Sequence, residues 1–146
     1  MHQAHKQKGF SLLELIIVLG LASLLISIGT GVYTHLLVEA EAKQFKNRLE
    51  QDLLYLQQYT QFDRSAKLYL DKGKYEIYSS RLKKVLLVQE IPEGYAIKIY
   101  PSALSFGFNQ TGTALAPGNF TIRTPAGTDK LVFPLGKGRG RYEESR

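Results

Sequence analysis

The sequence predicts an α+β fold in which a long N-terminal α-helix packs on a small antiparallel β-sheet domain. No charged side chain occurs between Glu14 and Glu39, and neither glycine nor proline occurs between Val32 and Lys72, so an all-round apolar helix runs into a one-sided one. Beyond Asp63 the pattern changes to short apolar runs parted by turn residues, and all five prolines fall between Pro92 and Pro134.

The helix comes first. Residues 15–38 would reach ~36 Å at ~1.5 Å per residue, enough for a hydrocarbon core of ~30 Å with some tilt. Lys6 and Lys8 precede this stretch and the folding part follows it, which places the amino terminus in the cytoplasm and the rest outside. Val38, Ala42, Phe45, Leu49, Leu53 and Leu56 then recur at helical spacing on one face. Glu39, Glu41, Lys43, Lys46, Asn47, Arg48, Glu50, Gln51 and Asp52 are assigned to the solvated side. One helix is expected from about Phe10 to about Asp63. The strands expected after it are Lys67–Leu70, Tyr75–Tyr78, Lys84–Gln89, Tyr95–Tyr100, Ser105–Phe108, Phe120–Arg123, Leu131–Phe133 and Arg139–Glu143. Asp71-Lys72-Gly73-Lys74 and Asn109-Gln110-Thr111-Gly112 read as turns.

Composition narrows the chemistry. A chain of 146 residues leaves room for one ordinary domain. The absence of cysteine removes disulfide scaffolds, thiolate metal sites and cysteine nucleophiles. A net charge of +6, spread along the chain, permits contact with polyanions without demanding it. His2 and His5 lie in the first few residues, His35 sits just past the apolar run as an interfacial side chain, and Asp71, Glu76, Glu90, Glu93 and Asp129 show no catalytic spacing. Gly136-Lys137 is not a phosphate-binding loop, because Leu131 and Gly138 stand where glycine and Ser or Thr are required. No enzyme activity, metal or cofactor is expected.

Three readings compete for the apolar segment: a secretory signal cut after Ser27-Ile28-Gly29, a permanent single-span anchor, and a precursor cut on the near side. The secretory reading leaves Glu14 unexplained, since an acidic residue at the cytoplasmic edge of an apolar segment contributes nothing to insertion and costs about 2.5 to 3.5 kcal/mol if carried to mid-membrane. The junction Lys8-Gly9-Phe10-Ser11-Leu12-Leu13-Glu14-Leu15 resembles that of the type IV pilin and pseudopilin family: a short basic leader ending in glycine, then phenylalanine, a glutamate fifth in the processed chain, and an apolar helix. The later elements Phe108-Asn109, Gly112, Gly118, Thr121-Ile122-Arg123, Leu131-Val132-Phe133 and Gly138-Arg139 resemble the tail of the ComGD-type minor competence pseudopilins, with GspH-like pseudopilins next.

The resemblance implies a type IV pilin-like fold and a division of the chain into a leader (1–9), an apolar membrane and polymerisation half-helix (10–38), an amphipathic half-helix (39–63) and an exported β-sheet domain (64–146). It implies that a membrane prepilin peptidase cuts between Gly9 and Phe10 and methylates the new Phe10 amine. Glu14 would then pair with the Phe10 amine of an adjacent subunit and set axial register, or with its own amine four residues away. Implied partners are prepilin peptidase, the major and other minor competence pilins, an assembly ATPase with its platform membrane protein, the membrane itself, and DNA. The location implied is the cell membrane, single-pass, and the cell surface after assembly.

Because lipid tails are as apolar as leucine, bundling such helices out of a membrane needs packing, polar pairing and external work. Nothing in this chain hydrolyses nucleotide to supply it. Lys137, Arg139 and Arg141 on the glycine-rich tail could grip DNA phosphates, against the alternative of a glycine-rich hairpin with its cations facing water or neighbouring pilins. The function expected is a minor pilin of a competence machine needed for DNA uptake. The rivals are a type II secretion pseudopilin and an anchored or secreted binding domain outside any filament.

Overall fold

The computed structural model describes residues 11–101, 105–134 and 137–144, with the side chains of 28–32 and 144 outside that description. The leader, the proposed Gly9–Phe10 cleavage site and the methylation site at Phe10 therefore lie outside the described residues. The chain divides into two compact units, Met1–Val38 and Glu39–Arg146. Helix α1, Leu12–Tyr59, begins in the first and ends in the second.

In the first unit α1 opens at Ser11, whose carbonyl accepts from Glu14 N at 3.0 Å and Leu15 N at 3.2 Å. Its hydroxyl also faces Glu14 N, at 3.4 Å. Ser11-Leu12-Leu13-Glu14 thus has the spacing of a capping box, with an acidic side chain in the first turn where the helix dipole favours it. From Leu15 to Leu19 five consecutive large apolar side chains are exposed, and Leu21, Leu24, Leu25 and Ile26 continue the pattern. Five successive residues at 100° intervals sweep the whole circumference, so this surface has no polar side. Among the described residues no helix is long and apolar enough to cross a membrane. The uncharged stretch 15–38 is interrupted in that description at 28–32.

The second unit contains eight strands: β1 Ala66–Asp71, β2 Lys74–Ser79, β3 Lys84–Glu90, β4 Ala96–Tyr100, β5 Ser105–Phe106, β6 Gly118–Thr124, β7 Gly127–Phe133 and β8 Arg141–Glu144. They form two antiparallel four-stranded sheets rather than one, ordered β3-β2-β1-β5 and β4-β6-β7-β8. The break falls at Ile91-Pro92-Glu93-Gly94, where proline lacks the donor a ladder needs and Gly94 takes φ 81°. The architecture is α+β and consistent with a type IV pilin-like fold. Hairpin β1–β2 closes through Lys72-Gly73, with Asp71 opposite Lys74 and Gly73 at φ 75°. The expected strand Ser105–Phe108 ends at Phe106, and Phe108 instead makes a lone bridge to Ala114.

The core lies between the helix stripe and the inner faces of both sheets. Phe45, Leu49, Leu53 and Leu56 are buried against Leu68, Tyr75 and Ile77 of one sheet and Phe120, Ile122 and Leu131 of the other, and Ala42 is buried on the same helix stripe. Phe106 joins the two sheets, with its ring centroid 4.9 Å from Phe120 and 4.9 Å from Phe133, and 5.2 Å from Phe108. The tail residues Phe108, Ile122, Leu131 and Phe133 are therefore core builders. Asp52 corrects the expected helix faces. It lies three residues beyond Leu49 and seven beyond Phe45, which puts it on the buried stripe, and its Oδ2 accepts from the Tyr75 hydroxyl at 2.6 Å.

Candidate functional site

Of the side chains singled out in the sequence, Glu14 is described and exposed at the first turn of α1. A carboxylate at the tip of a helix whose next turns are apolar on every side is a polar end on a rod that water does not favour, at ~1.5 to 3 kcal/mol for each large side chain left exposed. Its expected partner, the Phe10 amine, lies outside the described residues. Ser23 is the next polar group along the helix, and its hydroxyl donates back to Gly20 O at 2.8 Å.

The tail cations are tied into the second unit. Gln57 Nε2 donates to Gly138 O at 2.7 Å and also to Gly112 O, strapping the tail to the helix. A Cβ at Gly138 would meet Gly112 O and Gln57 Nε2, and one at Gly140 would stand 2.7 Å from Leu131 Cδ1 and 2.9 Å from Phe133 Cζ. These glycines are thus required by close packing. Arg141 donates to Glu143 at 2.7 Å, which offsets its charge. Lys137 is exposed, and Arg139 borders a cleft of about 220 Å³ lined also by Leu53, Leu54, Gln57, Leu131 and Gly140. The Tyr142 hydroxyl faces Lys46 O at 3.4 Å, and burial, then Glu50 and Asp129, push its pKa up to about 12. Lys46 in turn pairs with Asp129 at 2.8 Å.

Two carboxylates organise the interior of this unit. Burial pushes Asp52 above the ordinary aspartate value, while the Tyr75 hydroxyl and Arg48 act in the opposite sense. Burial first, then the hydrogen bond and charge of Asp52, push the Tyr75 phenol well above its ordinary range. Asp63 is buried and lies at a junction. Its Oδ2 accepts from the Ser79 hydroxyl, and its Oδ1 accepts from Ser65 N at 3.0 Å and Ser65 Oγ at 2.8 Å. Arg81 Nε stands 3.5 Å from the same carboxylate. These donors, the Ser79 bond first, hold Asp63 below the ordinary aspartate range against the effect of burial.

The Asp63 junction was not read from the sequence. A signal was present: segments 64–70 and 77–89 hold Arg64, Lys67, Arg81, Lys83 and Lys84 and no acidic residue. Asn109, the first residue of an Asn-Gln-Thr triplet, spends its side-chain oxygen on Thr111 N at 3.0 Å, Thr111 Oγ1 at 2.7 Å and Thr113 N at 2.8 Å. Among the described residues no cluster of His, Cys, Asp or Glu could hold a metal ion.

The chain matches the prokaryotic N-terminal methylation motif over residues 4–30. That motif is a type IV pilin-like signal. It supports membership of the pilin family, processing by prepilin peptidase with methylation of the new terminus, a membrane-anchored amino terminus, and assembly with other pilins. Proteins bearing it are structural rather than catalytic. Comparison with curated proteins and with solved structures returns no match.

Proposed function

We propose that the chain is a minor pilin, or pseudopilin, of a competence machine, incorporated into a filament that brings external DNA to the cell. The observation that carries the reading is the junction at Gly9-Phe10 with Glu14 behind it, inside the matched methylation motif and ahead of helical turns, Leu15–Leu19, whose exposed side chains are apolar on every side. Cleavage on the near side leaves that helix on the product, with a positive amine at Phe10 and a carboxylate at Glu14. In a helix bundle a lone Glu14 would lose several kcal/mol to desolvation, so a neighbouring subunit's amine is its natural counter-ion. The competence assignment rests on the resemblance of the tail elements from Phe108 to Arg139.

The same elements resemble GspH-like pseudopilins, which supports a second reading as a pseudopilin of a protein secretion system. Deleting the gene separates the two. Loss of transformation with exoprotein export intact supports the competence machine, and the reverse outcome supports the secretion system.

A further inference from the structure

Besides the tail, the second unit gathers cations at the junction around Asp63. Helix α1 ends at Tyr59, and the chain turns through Phe62, Asp63 and Arg64 before entering β1. The connection from β2 to β3 carries Arg81, Leu82 and Lys83, with Lys84 opening the strand. Asp63 holds these two turns side by side through Ser65, Ser79 and Arg81. Two further bonds complete the seam: Arg81 N donates to Ser65 Oγ at 2.7 Å and Leu82 N to Ser79 Oγ at 3.0 Å.

The two turns together carry four cations, Arg64, Arg81, Lys83 and Lys84, and of these Arg81 stands against the buried Asp63 carboxylate, which already accepts from Ser65 and Ser79. Arg64 donates to the neutral amide of Gln110. Among the described residues neither Lys83 nor Lys84 has an acidic partner. Lys83 is held at φ 51°, an unusual backbone conformation for a residue with a side chain. Apolar groups stand among the charges: Phe62 is 78% exposed and Leu82 52% exposed.

The adjoining outer sheet face mixes aromatic rings with charges of both signs, Lys67 and Lys74 beside Glu76. Tyr75, Ile77 and Ser79 point into the core, so Tyr78 and its cross-strand partner Lys67 point outward. Tyr69 lies on that outer face too, its ring in edge contact with Tyr78 at 6.3 Å.

We propose that this junction binds a single strand of nucleic acid, with Arg64, Arg81, Lys83 and Lys84 meeting phosphates and Phe62 stacking on an unpaired base. The charge selects a polyanion. The exposed Phe62 ring, one residue before Asp63 and two before Arg64, selects one whose repeating unit has a flat apolar face, because every base offers a π-face to an aromatic side chain. A duplex would engage the cations and leave Phe62 unused. The contact extends the pilin reading to a direct partner, but its argument stands on the junction alone.

The test uses the full-length chain in non-ionic detergent, with a fluorescent oligo(dT) strand, a duplex of equal length and inorganic polyphosphate as probes. The strand should bind more tightly than the duplex. Phe62→Ala should weaken strand binding roughly 5- to 140-fold and leave duplex binding unchanged, the fold-change for losing one stacked base. Neutralising Arg81, Lys83 and Lys84 together to Gln should reduce the slope of log affinity against log salt by about 2. Several results would overturn the proposal: equal affinity for strand and duplex with Phe62→Ala silent, polyphosphate competing as well as the strand, or loss of binding only when Lys137, Arg139 and Arg141 are neutralised. Incorporation of the same variants into filaments, scored separately, reports on the pilin reading, so the two can fail independently.

Discussion

Replacing Tyr75 by Phe tests the buried pair that fastens α1 to β2. Tyr75 is 1% exposed and its hydroxyl donates to Asp52 Oδ2 at 2.6 Å. The substitution keeps the ring and its packing and removes a single hydrogen bond, so the penalty is that of leaving a buried carboxylate short of its donor, about 1 to 3 kcal/mol. For a unit of this size that is a fall of roughly 4 to 12 °C in Tm. The pH dependence adds a sign. Burial raises Asp52 above its unfolded value, so the folded state carries a penalty for the ionised form that is fully present above the folded pKa and is relieved as pH falls through it. The Tyr75 bond opposes that rise, and without it the relief begins at higher pH. Thermal melts of the full-length chain in non-ionic detergent, followed by circular dichroism from pH 7 down to pH 4, should therefore show the gap between Tyr75→Phe and wild type narrowing as pH falls. A variant as stable as wild type at pH 7, or a gap that stays constant with pH, would refute the reasoning.

Asp63 has the opposite sign: its folded pKa lies below the unfolded one, so its stabilisation is present above about pH 4 and is lost as pH falls through the folded value. Asp63→Asn should be less stable at pH 7 and should lose less stability than wild type on acidification, as read from melts across that range. Gly140→Ala forces a Cβ against Leu131 and Phe133 and should destabilise the unit by about 1 to 3 kcal/mol in the same assay. Glu14→Ala should leave processing intact, seen as a normal mobility shift with active prepilin peptidase, while abolishing recovery of the chain in sheared filaments.

Elements governed by local pattern were legible in the sequence. The helix stripe from Ala42 to Leu56 is the buried face of α1, and the Asp71–Lys74 turn closes the hairpin expected of it. The strands expected at Tyr75–Tyr78 and Lys84–Gln89 appear as Lys74–Ser79 and Lys84–Glu90. What escaped depends on pairings distant in sequence. The split into two sheets follows from which strands find each other, and Asp52 was assigned to solvent because its residue type outweighed its position on the stripe. The Asp63 junction joins side chains up to 18 residues apart, Asp63 with Arg81, and no short motif announces it. The tail read as a flexible or strand-like glycine-rich segment, and what escaped is that Gly138 and Gly140 are glycines because Gly112, Gln57, Leu131 and Phe133 leave no room for a Cβ. At the amino terminus the legible part was the motif itself, whose residue spacing is local and lies within the matched residues 4–30.

The central claim is that the peptide bond after Gly9 is cut while the apolar helix stays with the product. Intact-mass measurement and terminal sequencing of the chain recovered from its own cells address it directly. The account predicts a product beginning at N-methylated Phe10. A product beginning near Thr30, or one retaining Met1, would contradict it.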